Sequence, residues 1–285
     1  EISACLVGSE MCIRDSSKGN IMKIFDAFKK KREMRMISVF NQKGGVGKTT
    51  TVVNLAAALG FNKKKVLVID MDPQGNSTSG LGVEDTELSI YEVLTHEKDI
   101  NDTIQKTKSK NVDIIPANSD LCGLEIELLS VDKREYLLKS EIDKIPQNYD
   151  FILVDCPPSL SILSINALVA SQSVLIPIQC EYYALEGVSQ LMNTVNIIRK
   201  GLNPELEVEG VLLTMYDSRN NLSYDVKNEA ENYFKDKLFN TVIPRNIRLA
   251  ESPSFGESII YYDKNSKGAI AYLSLAKELI KNRRK

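Results

Sequence analysis

Short, uninterrupted apolar runs punctuate the chain: "MISVF" (36–40), "KVLVID" (65–70), "VDIIP" (112–116), "FILVD" (151–155), "SVLIPI" (173–178) and "EGVLLT" (209–214). They are rich in Val, Ile and Leu and do not alternate with polar positions. Each therefore predicts a strand buried on both faces, as in a parallel sheet. Between them apolar positions recur at helical spacing. The stretches are "TTTVVNLAAALGF", "KREYLLKSEIDKI", "LSILSINALVAS", "ALEGVSQLMNTVNIIRK", "SYDVKNEAENYFKDK" and "GAIAYLSLAKELIKN". Strands alternating with helices predict βαβ units with right-handed crossovers. The expected fold is α/β, a doubly wound and mostly parallel sheet flanked by helices. In the last helix a stripe of Ile270, Leu273, Ala276, Leu279 and Ile280 predicts a face packed on the core.

No Gly/Ser/Pro-rich linker or internal repeat interrupts this alternation, so one domain is expected over residues 34–285. Residues 1–33 differ. "EISACLVGSEMCIRDS" carries neither period and is set aside as a non-native or disordered extension. "IMKIFDAFKKKREMR" (21–35) reads either as a basic amphipathic helix or as in-frame sequence upstream of a start at Met34 or Met36.

Composition narrows the partners. The 285 residues carry a net charge of -2, so any nucleic-acid contact must be a local patch. The basic runs "KKKR" (29–32), "KKK" (63–65) and "KNRRK" (281–285) read most simply as solvated ends and turns. No run approaches the length of a membrane span. Five cysteines form no C-x-x-C pair, which fits free thiols in a reducing cytoplasm.

The densest chemistry lies in "NQKGGVGKTT" (41–50), directly after the first strand and opening the first helix. That context turns a glycine-rich run into a phosphate-binding P-loop. Gly44, Gly45 and Gly47 let backbone N–H groups turn inward where a Cβ would crowd an anion. The helix starting near Lys48 aims its N-terminus at the same anion. Lys48 is placed to reach the β- and γ-phosphates and Thr49 to ligate Mg²⁺. The candidate nucleotide contacts are Gly44, Gly45, Val46, Gly47, Lys48, Thr49 and Thr50. Two strands end in carboxylates, "VLVIDMD" with Asp70 and Asp72 and "FILVD" with Asp155. The carboxyl edge of a parallel sheet is where doubly wound proteins bind ligands. Taken singly, each Asp reads equally as a cap or turn residue. Asp155 has the form of a Walker B acid that holds Mg²⁺. Cys156, next to it, reads as a small buried residue.

The loop departs from G-x-x-x-x-G-K-[ST] at its start, where Gln42 replaces glycine and a second lysine, Lys43, follows. This is the "deviant" Walker A form. With the blocks "VLVIDMDPQGNSTSGLG", "YDFILVDCPPSLSILSINAL", "VLIPIQCEYYALEGVSQL" and "VIPRNIRLAESPSFGESIIYYDKNSKGAIAYLSLAKEL", it makes residues 36–285 resemble the ParA/Soj family of chromosome- and plasmid-partitioning ATPases. That group is related to the division-site regulator MinD and the nitrogenase iron protein. The resemblance implies ATP and Mg²⁺ as cofactors, an ATP-dependent homodimer and non-specific DNA binding by that dimer. It further implies a ParB-type centromere-binding partner, a cytoplasmic, nucleoid-associated setting and no stable membrane association. It implies that Lys43 reaches the partner subunit's phosphates, which makes Lys43, Lys48 and Asp72 the catalytic set, with Asp72 beside the attacking water. It places Pro244 and Asn246 of "IPRN" against the adenine, Thr49 and Asp155 on the metal, and Arg219 and Arg248 on DNA phosphates. An exposed arginine is otherwise an ordinary solvated residue. Gln179, Glu181, Tyr182 and Tyr183 belong to the resemblance without a chemical role of their own. A MinD-like membrane switch is the alternative. An iron–sulfur protein is disfavoured, because Cys122, Cys156 and Cys180 do not fall in that pattern.

Overall fold

The computed structural model describes residues 34–146, 148–181 and 186–282. The extension at 1–33, Tyr182, Tyr183 and residues 283–285 lie outside them.

All six apolar runs form strands: β1 (Arg35–Val39), β2 (Val66–Asp70), β4 (Val112–Ile115), β5 (Phe151–Asp155), β6 (Ser173–Gln179) and β7 (Glu207–Thr214). A two-residue β3 (Gln105–Lys106) completes one sheet in the order β3-β4-β2-β5-β1-β6-β7. β3 runs antiparallel to β4 and every other pair is parallel. The continuous apolar runs follow from two buried faces. Met36, Leu67, Ile69, Ile152 and Val154 enter one core, while Ile37, Val39, Val66, Val68 and Leu153 enter the other.

Along the chain the helices are α1 (Lys48–Phe61), α2 (Asn76–Gly80), α3 (Ile90–Leu94), α4 (Leu121–Glu127) and α5 (Leu137–Ile142), then α6 (Ile162–Ala170), α7 (Glu186–Gly201), α8 (Asn221–Phe234), α9 (Ile247–Glu251), α10 (Ile259–Tyr262) and α11 (Lys267–Asn282). The long ones match the helical periods in the sequence, whereas the period over 133–145 yields only the six-residue α5, preceded by a 3₁₀ turn at Arg134–Tyr136. The short α2, α3, α4, α9 and α10 carry too few turns to show one. α1 is buried along most of its length, packed between the sheet and α11, where the Tyr272 hydroxyl lies 3.3 Å from Thr51 Oγ1. The core face of α11 is Ala269, Tyr272, Leu275, Ala276 and Leu279. It is rotated from the stripe expected from sequence, and Ile270 is 55% exposed. The large Tyr272 ring and the small Ala269 fit against α1, a choice of shape that a hydrophobicity pattern does not encode.

β1 lies between β5 and β6, yet its chain crosses over β5 to reach β2. The carboxyl ends of β1, β2, β5, β6 and β7 therefore gather one set of loops at a single edge, and the phosphate loop leaves from the middle of it.

Candidate functional site

The loop between β1 and α1 is pinned from three sides. Asn41 Nδ2 donates to the Pro177 carbonyl of β6 at 2.8 Å, and Asn41 Oδ1 accepts the Lys43 N–H at 3.0 Å. Gln42 Nε2 donates to Thr194 Oγ1 of α7 at 3.3 Å. Thr214, the last residue of β7, donates its hydroxyl to the Val46 carbonyl at 2.8 Å. Asn41 and Thr214 were not marked by the sequence. Their role depends on which strand ends lie beside β1.

Within this frame Gly47 adopts φ 87° and precedes α1 without a side-chain cap. A side chain there would strain the backbone. The uncapped first turn of a 14-residue helix leaves its N–H groups available to an anion. A Cβ built on Gly44 or Gly45 would meet no atom within 4 Å, so these residues border open space. Val46 is buried and contributes backbone.

The two lysines of the loop are held differently. Lys48 is buried, and its Nζ donates to the Lys43 carbonyl at 3.2 Å. Burial lowers its pKa, opposed chiefly by the charge of Asp155. Lys43 is half exposed, and its Nζ lies 3.3 Å from Glu181 Oε2, just after β6. Glu181, which had no role from sequence, is the counter-ion of the second lysine.

The carboxylates also divide. Asp70 and Asp155 are paired in register across β2 and β5, and both are fully buried. Asp70 is saturated. Its Oδ2 accepts the Thr78 N–H at 2.9 Å and the Thr78 hydroxyl at 2.8 Å, and its Oδ1 accepts the Asp72 N–H at 3.2 Å. Asp155 Oδ2 accepts the Ser77 hydroxyl at 2.7 Å, whereas its Oδ1 is buried with no hydrogen-bond partner among the described residues. Burial raises both pKa values, and for Asp155 the charge of Asp70 adds to it. Thr49 faces the Asp155 carboxylate and draws its pKa back down. An unpartnered carboxylate oxygen beside a hydroxyl, at the foot of a phosphate loop, is a donor set for a hard cation. Asp70, by contrast, has both oxygens engaged. Asp72 sits at the rim, 8% exposed, with Oδ1 accepting the Gln74 N–H at 3.0 Å, and its charge reaches Lys48.

Beside the loop a cavity of about 340 Å³ is lined by Gly47, Thr50, Pro244, Asn246 and Tyr272, among others. Residues separated by nearly two hundred positions in sequence thus line one cavity beside the loop. Asn246 Oδ1 is committed to capping α9, accepting the Arg248 N–H at 2.8 Å, which leaves its NH₂ for another partner.

Arg219 and Arg248 lie outside the cavity. The Arg219 side chain is 86% exposed and forks onto Asp217, with Nε to Oδ1 at 3.0 Å and Nη2 to Oδ2 at 2.8 Å. That bond holds the Asp217 carboxyl well below its usual range. Arg248, 55% exposed on α9, pairs with Glu251 at 2.9 Å and lies 6.0 Å over the Tyr262 ring. Arg245, which no motif marks, lines the cavity and also lowers the Asp217 pKa. Cys156 is buried, as expected, and burial pushes its thiol pKa far up.

A family model described as an AAA domain matches residues 34–208. The chain is 56% identical over 250 residues to the sporulation initiation inhibitor protein Soj of Bacillus subtilis, covering 87% of this chain and 99% of that protein. It is 50% identical over 249 residues to the chromosome partitioning protein ParA of Myxococcus xanthus, covering 87% and 88%. Among solved structures it is similar to cobyrinic acid a,c-diamide synthase from Mycobacterium smegmatis with bound ADP and magnesium. That match has 36% identity and a TM-score of 0.77, over 89% of this chain and 96% of the other. It is also similar to the septum site-determining protein MinD complexed with Mg-ADP from Pyrococcus horikoshii, at 28% identity and TM-score 0.71, over 88% and 98%.

Proposed function

Because the chain belongs to the ParA/Soj family of chromosome-partitioning ATPases, we propose that it is a Mg·ATP-dependent ATPase of DNA segregation. It dimerises with ATP, binds DNA without sequence preference as that dimer, and is released when a ParB-type centromere-binding partner stimulates hydrolysis. The observation that carries this reading is the convergence of buried Lys48, the open glycine cradle and the unpartnered Oδ1 of Asp155 at one sheet edge.

Each residue's part follows from its setting. Lys48 exchanges the Lys43 carbonyl for phosphate oxygens, which are better acceptors for an ammonium. The Thr49 hydroxyl and Asp155 hold Mg²⁺, which neutralises charge on the β- and γ-phosphates when bound. Ser77 on Oδ2 leaves Oδ1 of Asp155 for that task. Asp72, at the rim, orients the attacking water, and Gly44 through Thr50 enclose the phosphates. Pro244 and Asn246 flank the base. Lys43 leaves Glu181 to meet the triphosphate of the partner subunit, a cation supplied across an interface as an arginine finger is. Arg219 and Arg248 contact DNA phosphates, and the protein works in the cytoplasm on the nucleoid.

A MinD-like membrane switch has less support. The partitioning relatives are 50–56% identical, against 28% for the MinD structure. The decisive experiment compares retention of random-sequence duplex DNA with ATP, with ADP and without nucleotide. Retention is expected with ATP alone, and equal retention in all three states would falsify the switch.

A further inference from the structure

Away from the nucleotide edge, the parallel pairing of β2 with β4 aligns Val66 with Val112 and so brings together the segments that enter these two strands. The first holds Lys63, Lys64 and Lys65. The second holds Lys106, Lys108 and Lys110. All but Lys64 are exposed. Lys106 is neutralised by Asp113 at 2.8 Å. None of Lys63, Lys64, Lys65, Lys108 or Lys110 makes an ion pair among the described residues. In a chain of net charge -2 this is a local excess of cations. Beside it, a recess of about 300 Å³ is lined by Lys65, Lys106 and Lys110, with Asp113 the carboxylate among them.

The corner is continuous with the surface around Arg248. Arg248 lies over Tyr262, which stacks on the exposed Phe255 at 5.0 Å between ring centroids. The Phe255 carbonyl accepts from Lys108 Nζ at 3.4 Å. The Tyr261 hydroxyl accepts the Lys110 N–H at 2.9 Å. Lys264 stands 4.8 Å over the ring of Phe61, immediately before the "NKKK" turn. A basic stripe thus runs from α9 across α10 to the entrances of β2 and β4.

We propose that this stripe is a second duplex-DNA contact surface, in which Lys63, Lys64, Lys108, Lys110 and Lys264 continue the phosphate track that begins at Arg248. It rests on the reading of the protein as an ATP-dependent DNA binder and lengthens that footprint. Lysine ammoniums are point charges suited to a phosphate backbone and carry no base information. A lipid surface fits less well. Of the exposed rings along it, Phe61 lies under Lys264 and Phe255 stacks on Tyr262, whereas an interfacial helix needs an apolar face free to insert.

The test uses Lys63→Gln/Lys64→Gln/Lys110→Gln in the full chain, with the matching triple Lys→Arg variant as control. Affinity for a labelled random-sequence duplex is measured with ATP across a salt series, and ATP binding is measured alongside. The Gln variant should bind DNA roughly tenfold more weakly near 0.1 M salt. Its log–log salt slope should be shallower by up to about 2.7 per subunit engaged, from ~0.9 per phosphate. ATP binding should not change, and the Arg variant should keep wild-type affinity and slope. If wild type and an Arg248→Glu variant differ in DNA binding while the Gln triple matches wild type, the stripe is solvated surface and only this proposal fails. If wild type holds no DNA in any nucleotide state, the functional reading itself falls and takes the stripe with it. If the triple keeps DNA binding but loses phosphatidylglycerol vesicles that wild type retains, the stripe faces lipid and the proposal is wrong.

Discussion

Lys48 and Arg219 are cations at the same edge of one sheet, the first opening α1 after β1 and the second on the loop after β7, and they are held in opposite ways. Lys48 is buried, bonded to a backbone carbonyl and close to Asp155 and Asp72. Arg219 is almost wholly exposed and forked onto one neighbouring carboxylate. In the low dielectric of the loop a single charge has large leverage on what binds there. At the surface, water and salt screen each charge, so binding is the sum of many weak contacts and depends on ionic strength. The first region should fail through single residues. The second should weaken by increments.

The largest effect tests the first half of that contrast. Lys48→Ala should lose roughly two orders of magnitude in Mg·ATP affinity, since charge-assisted hydrogen bonds contribute about 1.5 to 3 kcal/mol each. Lys43→Ala, five positions earlier, should bind ATP nearly as wild type yet form no ATP-dependent dimer. Calorimetry and light scattering separate the two. A Lys43→Ala protein that dimerises normally with ATP would reduce Lys43 to a loop cation held by Glu181.

The next effect is of intermediate size and concerns the caged carboxylates. Burial raises the Asp70 pKa to about 6, and burial with the charge of Asp70 raises Asp155 to about 8. An aspartate in the unfolded chain titrates near ~4. Between these limits the folded, nucleotide-free protein binds more protons than the unfolded chain. The stabilisation from holding those protons is complete below pH ~4 and is lost as pH rises toward about 8. Asp155→Asn removes the charge that must otherwise be buried. It should raise Tm at pH 8 by a few degrees and flatten the Tm–pH curve, on the order of 1 kcal/mol per pH unit at most. Parallel curves for wild type and variant, measured without nucleotide, would mean that the pair carries no such strain.

How much of each region was legible in the sequence follows from the same physics. The six buried strands announced themselves because two buried faces demand unbroken apolar runs. β3 has two polar residues and pairs only at the sheet edge, so it has no pattern to read. The phosphate loop was legible because glycines, lysine and threonine must sit at fixed spacing for backbone and side chain to meet one anion. Its supports were not. Thr214, Ser77 and Thr78 act only because strand order and a five-residue helix deliver them there. Asp70 and Asp155 both end apolar strands, and the sequence singled out Asp155 by its Walker B form, but only the hydrogen bonds show that its Oδ1 is the oxygen left without a partner among the described residues. On the outside, "KKK" was visible but its confluence with Lys108 and Lys110 was not, because nothing local says that β2 and β4 are neighbours.

The smallest expected effects belong to Arg219 and Arg248, and they sharpen the comparison by sign. Arg219→Glu and Arg248→Glu should each weaken DNA binding only several-fold, with a salt slope shallower by about 0.9 per phosphate lost and ATP binding intact. Damage to the fold would also weaken binding, so loss alone is ambiguous. Asp217 offers the converse. Its carboxylate occupies the fork of Arg219 that a phosphate would need. Asp217→Asn keeps an oxygen for the Arg219 N–H that Oδ1 now accepts, while removing the competing charge. DNA binding should therefore tighten in this variant and its salt slope steepen, opposite in direction to Arg219→Glu two positions away. Weakened binding in both would point to a loop that matters for its shape. Opposite changes in a salt titration of the two variants fit only a surface that works through its summed charge.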